Sequence, residues 1–213
     1  MATVICVMGE SGSGKTTSMR NLPPDETYYI DCDGKGLSWR GWRKDFNSEN
    51  KNYYRTDFPQ IAKQLLDKID KEQTKYKYVV VDTINGLMVG DEMRRIGEKG
   101  YDKWQDLASS VFDIINDANK YRDDLTVIFL AHSETDRDEN GYSQTRIKTN
   151  GKKLNKIVLE SKFTTVLLAK CIDGRFVFET HAKNSTAKTP LGAFEDDYID
   201  NDIVKVIEVL KEY

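Results

Sequence analysis

The run Gly9-Glu10-Ser11-Gly12-Ser13-Gly14-Lys15-Thr16-Thr17 fits the spacing G-x-x-x-x-G-K-[ST] and directly follows the apolar stretch Val4 to Met8. A backbone that can curl at its glycines points successive N–H groups at one polyanion. A helix opening at Gly14 would add the positive end of its dipole. Lys15 is then expected to reach the β- and γ-phosphates of a nucleoside triphosphate. The Thr16 hydroxyl is expected to ligate Mg²⁺, which prefers oxygen donors in octahedral array. The chemistry implied is the binding of ATP, or another nucleoside triphosphate, with Mg²⁺.

Such a site needs a second acid at a strand end beside the phosphate loop. Asp82 closes the run Tyr78-Val79-Val80-Val81, so it is the expected Walker B carboxylate, with Thr83 beside it to join its network. Hydrolysis also needs a carboxylate near the metal but not on it, to orient water. Asp31 and Asp33, which bracket the end of Tyr29-Ile30-Asp31-Cys32-Asp33-Gly34, are the candidates; the alternative is that both cap a turn. Glu10, inside the phosphate loop, is a further competitor with a supporting role. His132 ends the strand from Leu125, at the edge where open α/β sheets bind ligands, and is read as a γ-phosphate sensor or else as a structural histidine.

These residues need a sheet to align them. Apolar, β-rich runs recur at Thr3 to Met8, Thr27 to Asp31, Lys77 to Asp82, Leu125 to His132 and Phe163 to Cys171. Helical patterns are expected at Lys15 to Asn21, Phe58 to Lys71, Trp104 to Tyr121, Lys152 to Glu160 and near Ile203 to Leu210. That alternation predicts an α/β fold with three layers: a mostly parallel central sheet and helices on both faces. An Asp173-Gly174 turn predicts an antiparallel C-terminal hairpin between Thr164 to Cys171 and Arg175 to Lys183. The polar stretches Met88 to Lys103 and Ser133 to Asn150 are expected to be loops, the second a mobile functional one with a turn at Asn140-Gly141. With 213 residues and no linker or repeat, one domain over residues 1–213 is expected.

Lys and Arg number 32 against 35 Asp and Glu, so overall charge neither requires nor forbids nucleic acid. Locally, Arg146, Lys148, Lys152, Lys153 and Lys156 lie together without an acid among them. They suit a phosphate backbone or, equally, a solvated helix face. Trp39-Arg40-Gly41-Trp42-Arg43-Lys44 mixes aromatic rings with cations, for which core packing of the tryptophans is the better reading. Three cysteines, Cys6, Cys32 and Cys171, form no CxxC pair, which argues for a reducing, cytoplasmic setting. No apolar run approaches the ~20 residues of a spanning helix, and no membrane association is expected.

Taken in order, these pieces resemble the ATPase core of RecA-type recombinases, in particular the small core-only RecA-like proteins of phages that act in single-strand annealing recombination. Gly9 to Thr17 matches the phosphate loop, Ile30-Asp31-Cys32-Asp33 the strand ending in the catalytic acid, and Val81-Asp82-Thr83-Ile84 Walker B and the start of the first DNA loop. Phe129-Leu130-Ala131-His132 resembles the strand ending in the γ-phosphate switch, with Ser133 to Asn150 in the place of the second DNA loop. Asn150-Gly151-Lys152-Lys153-Leu154 is similar to the segment leading out of it. Ala182-Lys183-Asn184 to Lys188-Thr189-Pro190 resembles the strand end that touches ATP across a subunit interface.

The resemblance implies a DNA-stimulated, Mg²⁺-dependent ATPase that binds single-stranded DNA and promotes annealing or strand pairing. It also implies a homo-oligomer with ATP at the subunit interface, where a neighbour's Lys183 or Lys188 stabilises transition-state charge. A single-strand binding protein is a further implied partner, and for a phage-encoded chain the setting is the host cytoplasm. The family usually has Glu and Gln where this chain has Asp33 and His132, which implies slower or differently triggered turnover. Two alternatives stay open: an ATP-gated annealing module with negligible hydrolysis, and a small-molecule P-loop kinase.

Overall fold

The computed structural model describes residues 1–98, 102–137, 141–149 and 158–213. Its centre is a sheet built from β1 (Thr3–Gly9), β2 (Thr27–Asp31), β3 (Tyr53–Arg55), β4 (Tyr78–Asp82), β5 (Thr126–Arg137), β6 (Ser143–Ile147), β7 (Thr165–Ile172), β8 (Arg175–Glu179) and β9 (Tyr198–Asp200). The order across the sheet is β3-β2-β4-β5-β1-β7-β8-β9, with β6 paired to the outer part of β5. From β3 to β7 every neighbour is parallel; β7, β8 and β9 then run antiparallel, as the Asp173-Gly174 turn requires.

Alternation along the strands divides the core in two. Val4, Cys6 and Met8 of β1, Val79 and Val81 of β4, and Val127 and Phe129 of β5 face one layer. That layer is α2 (Pro59–Lys71), α3 (Ile84–Arg94) and α4 (Asp102–Ala118), which bury Ala62, Leu66 and Ile69, Ile84 and Leu87, and Val111, Ile114 and Ile115. Ile5 and Val7, Val80, and Ile128 and Leu130 face the other side, under α5 (Ile203–Leu210) and the segment around α1 (Trp42–Asp45). Trp39 and Trp42 pack onto this second core rather than facing solvent, with Trp39 edge-on to Phe46 at 6.0 Å. α2 begins with Pro59 at its first turn and carries Lys68 and Lys71 in its last, both favourable placements. The result is a three-layer α/β P-loop NTPase fold.

Several expected elements differ. Lys15 to Asn21 is not an α-helix: only Thr16–Met19 forms a short 3-10 turn. Thr16-Thr17-Ser18 is a weak helix former, the Ser18 hydroxyl bonds to the Lys15 carbonyl at 2.6 Å, and Pro23-Pro24 removes the next donors. The expected loop from Met88 is helical as far as Arg94. Gly86 and Gly90 obscured that helix, and they permit its close approach: a Cβ on Gly86 would fall 2.5 Å from the Cys32 carbonyl oxygen, and one on Gly90 2.4 Å from an Asp57 oxygen. The expected loop Ser133 to Asn150 is instead largely a β-hairpin, because β5 runs on to Arg137 and pairs antiparallel with β6. Of the expected helix Lys152 to Glu160, the part at 152–157 lies outside the described residues, and Leu159–Lys162 is a 3-10 turn. β8 stops at Glu179, short of Lys183. Among the described residues no helix is long and apolar enough to cross a membrane.

Candidate nucleotide site

Register aligns the chemistry at one edge of the sheet. Asp31 pairs with Asp82 across β2 and β4, and Gly9 pairs with His132 across β1 and β5, so all four stand where the parallel strands end. Strand β5 separates the strand of the phosphate loop from the strand of Asp82.

In the loop itself, Gly12 and Gly14 have φ of 79° and 96°, a region that side chains other than glycine rarely adopt. Gly14 is also crowded: a Cβ there would fall 2.8 Å from the Phe176 ring of β8. Glu10 and Ser11 are exposed, while Ser13 is buried with its hydroxyl unpartnered. The Thr17 hydroxyl lies 2.9 Å from that of Ser38. Lys15 is only 6 % exposed, and its ammonium donates to the Gly9 and Glu10 carbonyls at 2.8 and 2.7 Å. Burial first, and then repulsion from Lys35, lower its pKa to about 8. With so short a helical turn behind it, this loop has its own amides and Lys15 to offer an anion, and little macrodipole.

Asp82 is 1 % exposed. Its Oδ2 accepts from the Thr16 hydroxyl at 2.8 Å and from Tyr29 at 2.6 Å, whereas its buried Oδ1 has no hydrogen bond. Burial raises its pKa, a cost that a cation at Oδ1 would relieve. An orphaned carboxylate oxygen next to a threonine hydroxyl fits Mg²⁺, whose preferred donors are oxygens. Thr16 and Asp82 are the residues that would hold it.

The two acids after β2 have different surroundings. Asp31, 2 % exposed, accepts from the Gly34 and Gly36 amides at 2.8 and 2.9 Å and from the Tyr53 hydroxyl at 2.6 Å. It is placed to hold the turn, as the capping alternative anticipates. Asp33 accepts from Thr83 at 3.0 Å and from Lys35 at 2.7 Å. The same Thr83 hydroxyl caps α3 by accepting from the Gly86 amide at 3.1 Å, so the helix start and the Asp33 carboxylate are oriented together. Asp33 and His132 both line a cavity of about 610 Å³ against α3. Burial, then Lys15, lowers the pKa of His132, which leaves a neutral imidazole at pH 7. Asp31→Ala should destabilise the fold by about 2–4 kcal/mol, since it orphans two half-buried amides and a tyrosine hydroxyl; a urea midpoint equal to that of the wild type would refute the turn-holding role.

Three neighbours were missed from sequence: Tyr29, Lys35 and Asn85. Asn85 accepts the His132 backbone N–H at 2.7 Å and donates to the Lys148 carbonyl at 2.8 Å, which ties α3 to the base of the β5–β6 hairpin. Of the basic group, Arg146 pairs across the hairpin with Glu134 and Asp136 at 3.3 and 2.6 Å, and Lys148 is exposed. Lys152, Lys153 and Lys156 lie outside the described residues. Lys183 bonds to Asp197 at 2.5 Å, and the Lys188 backbone pairs with Val166, the β7 residue opposite Cys6 of β1.

The family comparison matches residues 1–191 to a model described as an AAA domain. No curated protein matches the chain.

Proposed function

The chain belongs to the AAA domain family, a nucleotide-binding ATPase domain, and we propose that it is a Mg²⁺-dependent, DNA-stimulated ATPase of RecA-like type. In this reading it binds single-stranded DNA and promotes annealing or strand pairing, in the manner of phage annealing recombination. The observation that supports it best is the continuity of β5: the strand that ends its sheet pairing beside Gly9 at His132 runs straight on into the hairpin. Any shift of His132 on meeting a terminal phosphate is passed to the hairpin through the bonds that Asn85 and Lys148 make to its backbone.

In this scheme Lys15 leaves the Gly9 and Glu10 carbonyls for the β/γ-phosphate oxygens, where a charge-assisted bond replaces a weaker one. Thr16 and Asp82 would hold Mg²⁺, which would supply charge neutralisation to the phosphates. Asp33 orients water, with Thr83 fixing its rotamer. Lys148 and the basic residues after it follow the DNA backbone. A neighbouring copy's Lys183 or Lys188 completes the site, and a single-strand binding protein hands over the DNA. The setting is the cytoplasm, that of the host for a phage-encoded chain.

A second reading, an annealing module in which ATP orders the hairpin with negligible hydrolysis, has one observation in its favour. Asp33 is engaged by both Lys35 and Thr83, so its carboxylate would have to give up a partner before it could orient water. One experiment addresses both readings: titrate a labelled single strand at two salt concentrations, with and without ATP, and follow phosphate release in the same samples. The proposal expects salt-sensitive binding and DNA-stimulated release. Binding without release selects the ordering module, and no salt-sensitive binding in either state removes the DNA claim.

A further inference from the structure

The turn after β2 carries a cation into the site. Lys35 Nζ stands 2.7 Å from Asp33 Oδ2 and 3.9 Å from Asp82 Oδ1. Its starting point is fixed, because the Asp31 carboxylate grips the amides of Gly34 and Gly36 on either side of it. Its end is held by the Asp33 carboxylate, with the side chain 47 % exposed. The hydroxyls of Thr16 and Tyr29 both go to Asp82 Oδ2, so Lys35 is the positive group that faces the orphaned Oδ1.

Lys35 and Lys15 stand at the same edge of the sheet, Lys35 on the turn after β2 and Lys15 in the phosphate loop after β1. Two ammonium groups placed there suit a ligand with several negative charges.

We propose that Lys35 is a cation for the terminal phosphate of the nucleotide, supplied by the same chain. Once the charge of Asp82 is shared with a divalent ion, Lys35 loses one of its two anchors. It keeps Asp33 and lies against γ-phosphate oxygens opposite Lys15. This role rests on the nucleotide reading above and goes beyond it, for there the additional cation comes from a neighbouring copy. Lys183, one residue assigned that part, is bonded to Asp197 and lies 5.3 Å from the centre of the Tyr198 ring.

The test uses the full chain and reads binding rather than turnover. ADP and a non-hydrolysable triphosphate analogue, each with Mg²⁺, are titrated calorimetrically into wild type, Lys35→Met and Lys35→Arg. A charge-assisted bond to the third phosphate predicts that Lys35→Met weakens analogue binding about tenfold or more and ADP binding by less than about twofold. Lys35→Arg, which keeps the charge, should retain most of the preference for triphosphate. A Lys35→Met protein with the wild-type preference overturns the proposal. Wild-type protein that binds neither nucleotide overturns the nucleotide reading, and this role with it.

Discussion

Lys15→Ala should lower ATP turnover by roughly 10²- to 10³-fold and weaken triphosphate binding markedly, while the chain stays folded. The side chain is buried in its own loop and, among the described residues, its ammonium bonds only to two neutral carbonyls, Gly9 and Glu10. Those contacts are replaceable by water, but its contact with phosphate is not. A second arm of the same prediction follows from the pKa of about 8. Below that pH the ammonium is already charged, and binding takes up no proton. Above it the free protein is neutral at Lys15, whereas a bound phosphate favours the charged form. Binding then takes up one proton, and affinity falls by up to tenfold per pH unit until the ordinary lysine range is reached. Calorimetry in buffers of different ionisation enthalpy at pH 7 and pH 9 reads that proton directly. Lys15→Ala protein that hydrolyses ATP at the wild-type rate would defeat the scheme.

Asp33→Asn should remove about 10²-fold or more of DNA-stimulated turnover and leave nucleotide affinity within about threefold of wild type. The amide keeps the volume of the carboxylate and an oxygen for the Thr83 hydroxyl, but it cannot take a proton from water. Asp31 gives the opposite pattern, because its carboxylate is saturated by the turn amides and Tyr53. Its loss should appear first in stability. Single-turnover kinetics paired with denaturation curves for the two variants separate base from scaffold. Unchanged turnover in Asp33→Asn would remove it as the base.

What was legible in the sequence was what local pattern determines. Tyr78 to Asp82 reads as a central strand because three successive valines leave no polar face, and it is buried on both sides. The phosphate loop reads from its glycine spacing, and Asp82 from its place at a strand end. The helix after Asp82 was hidden by Gly86 and Gly90, residues that count against a helix locally and are needed only because α3 presses on Cys32 and Asp57. The hairpin was hidden because Ser133 to Arg137 is polar; its pairing with Ser143 to Ile147 is a matter of partnership, not composition. Arg146 looked like a free cation for the same reason. Its partners Glu134 and Asp136 lie ten or more positions earlier, and meet it only across the ladder. Lys35 and Asn85 sit in short turns or helix starts where polar residues are ordinary, so nothing in the sequence marked them before the three-dimensional arrangement did.

The claim on which the rest depends is that a nucleotide and a divalent ion meet at the loop, Thr16 and Asp82. The direct measurement is calorimetric titration of ATP into the purified full chain, with Mg²⁺ and without it, for the wild type and for Asp82→Asn. Saturable binding that weakens when Mg²⁺ is withheld, with the Mg²⁺ dependence diminished in Asp82→Asn, is the expected result. Failure of the wild-type chain to take up any adenine or guanine polyphosphate under either condition would contradict it.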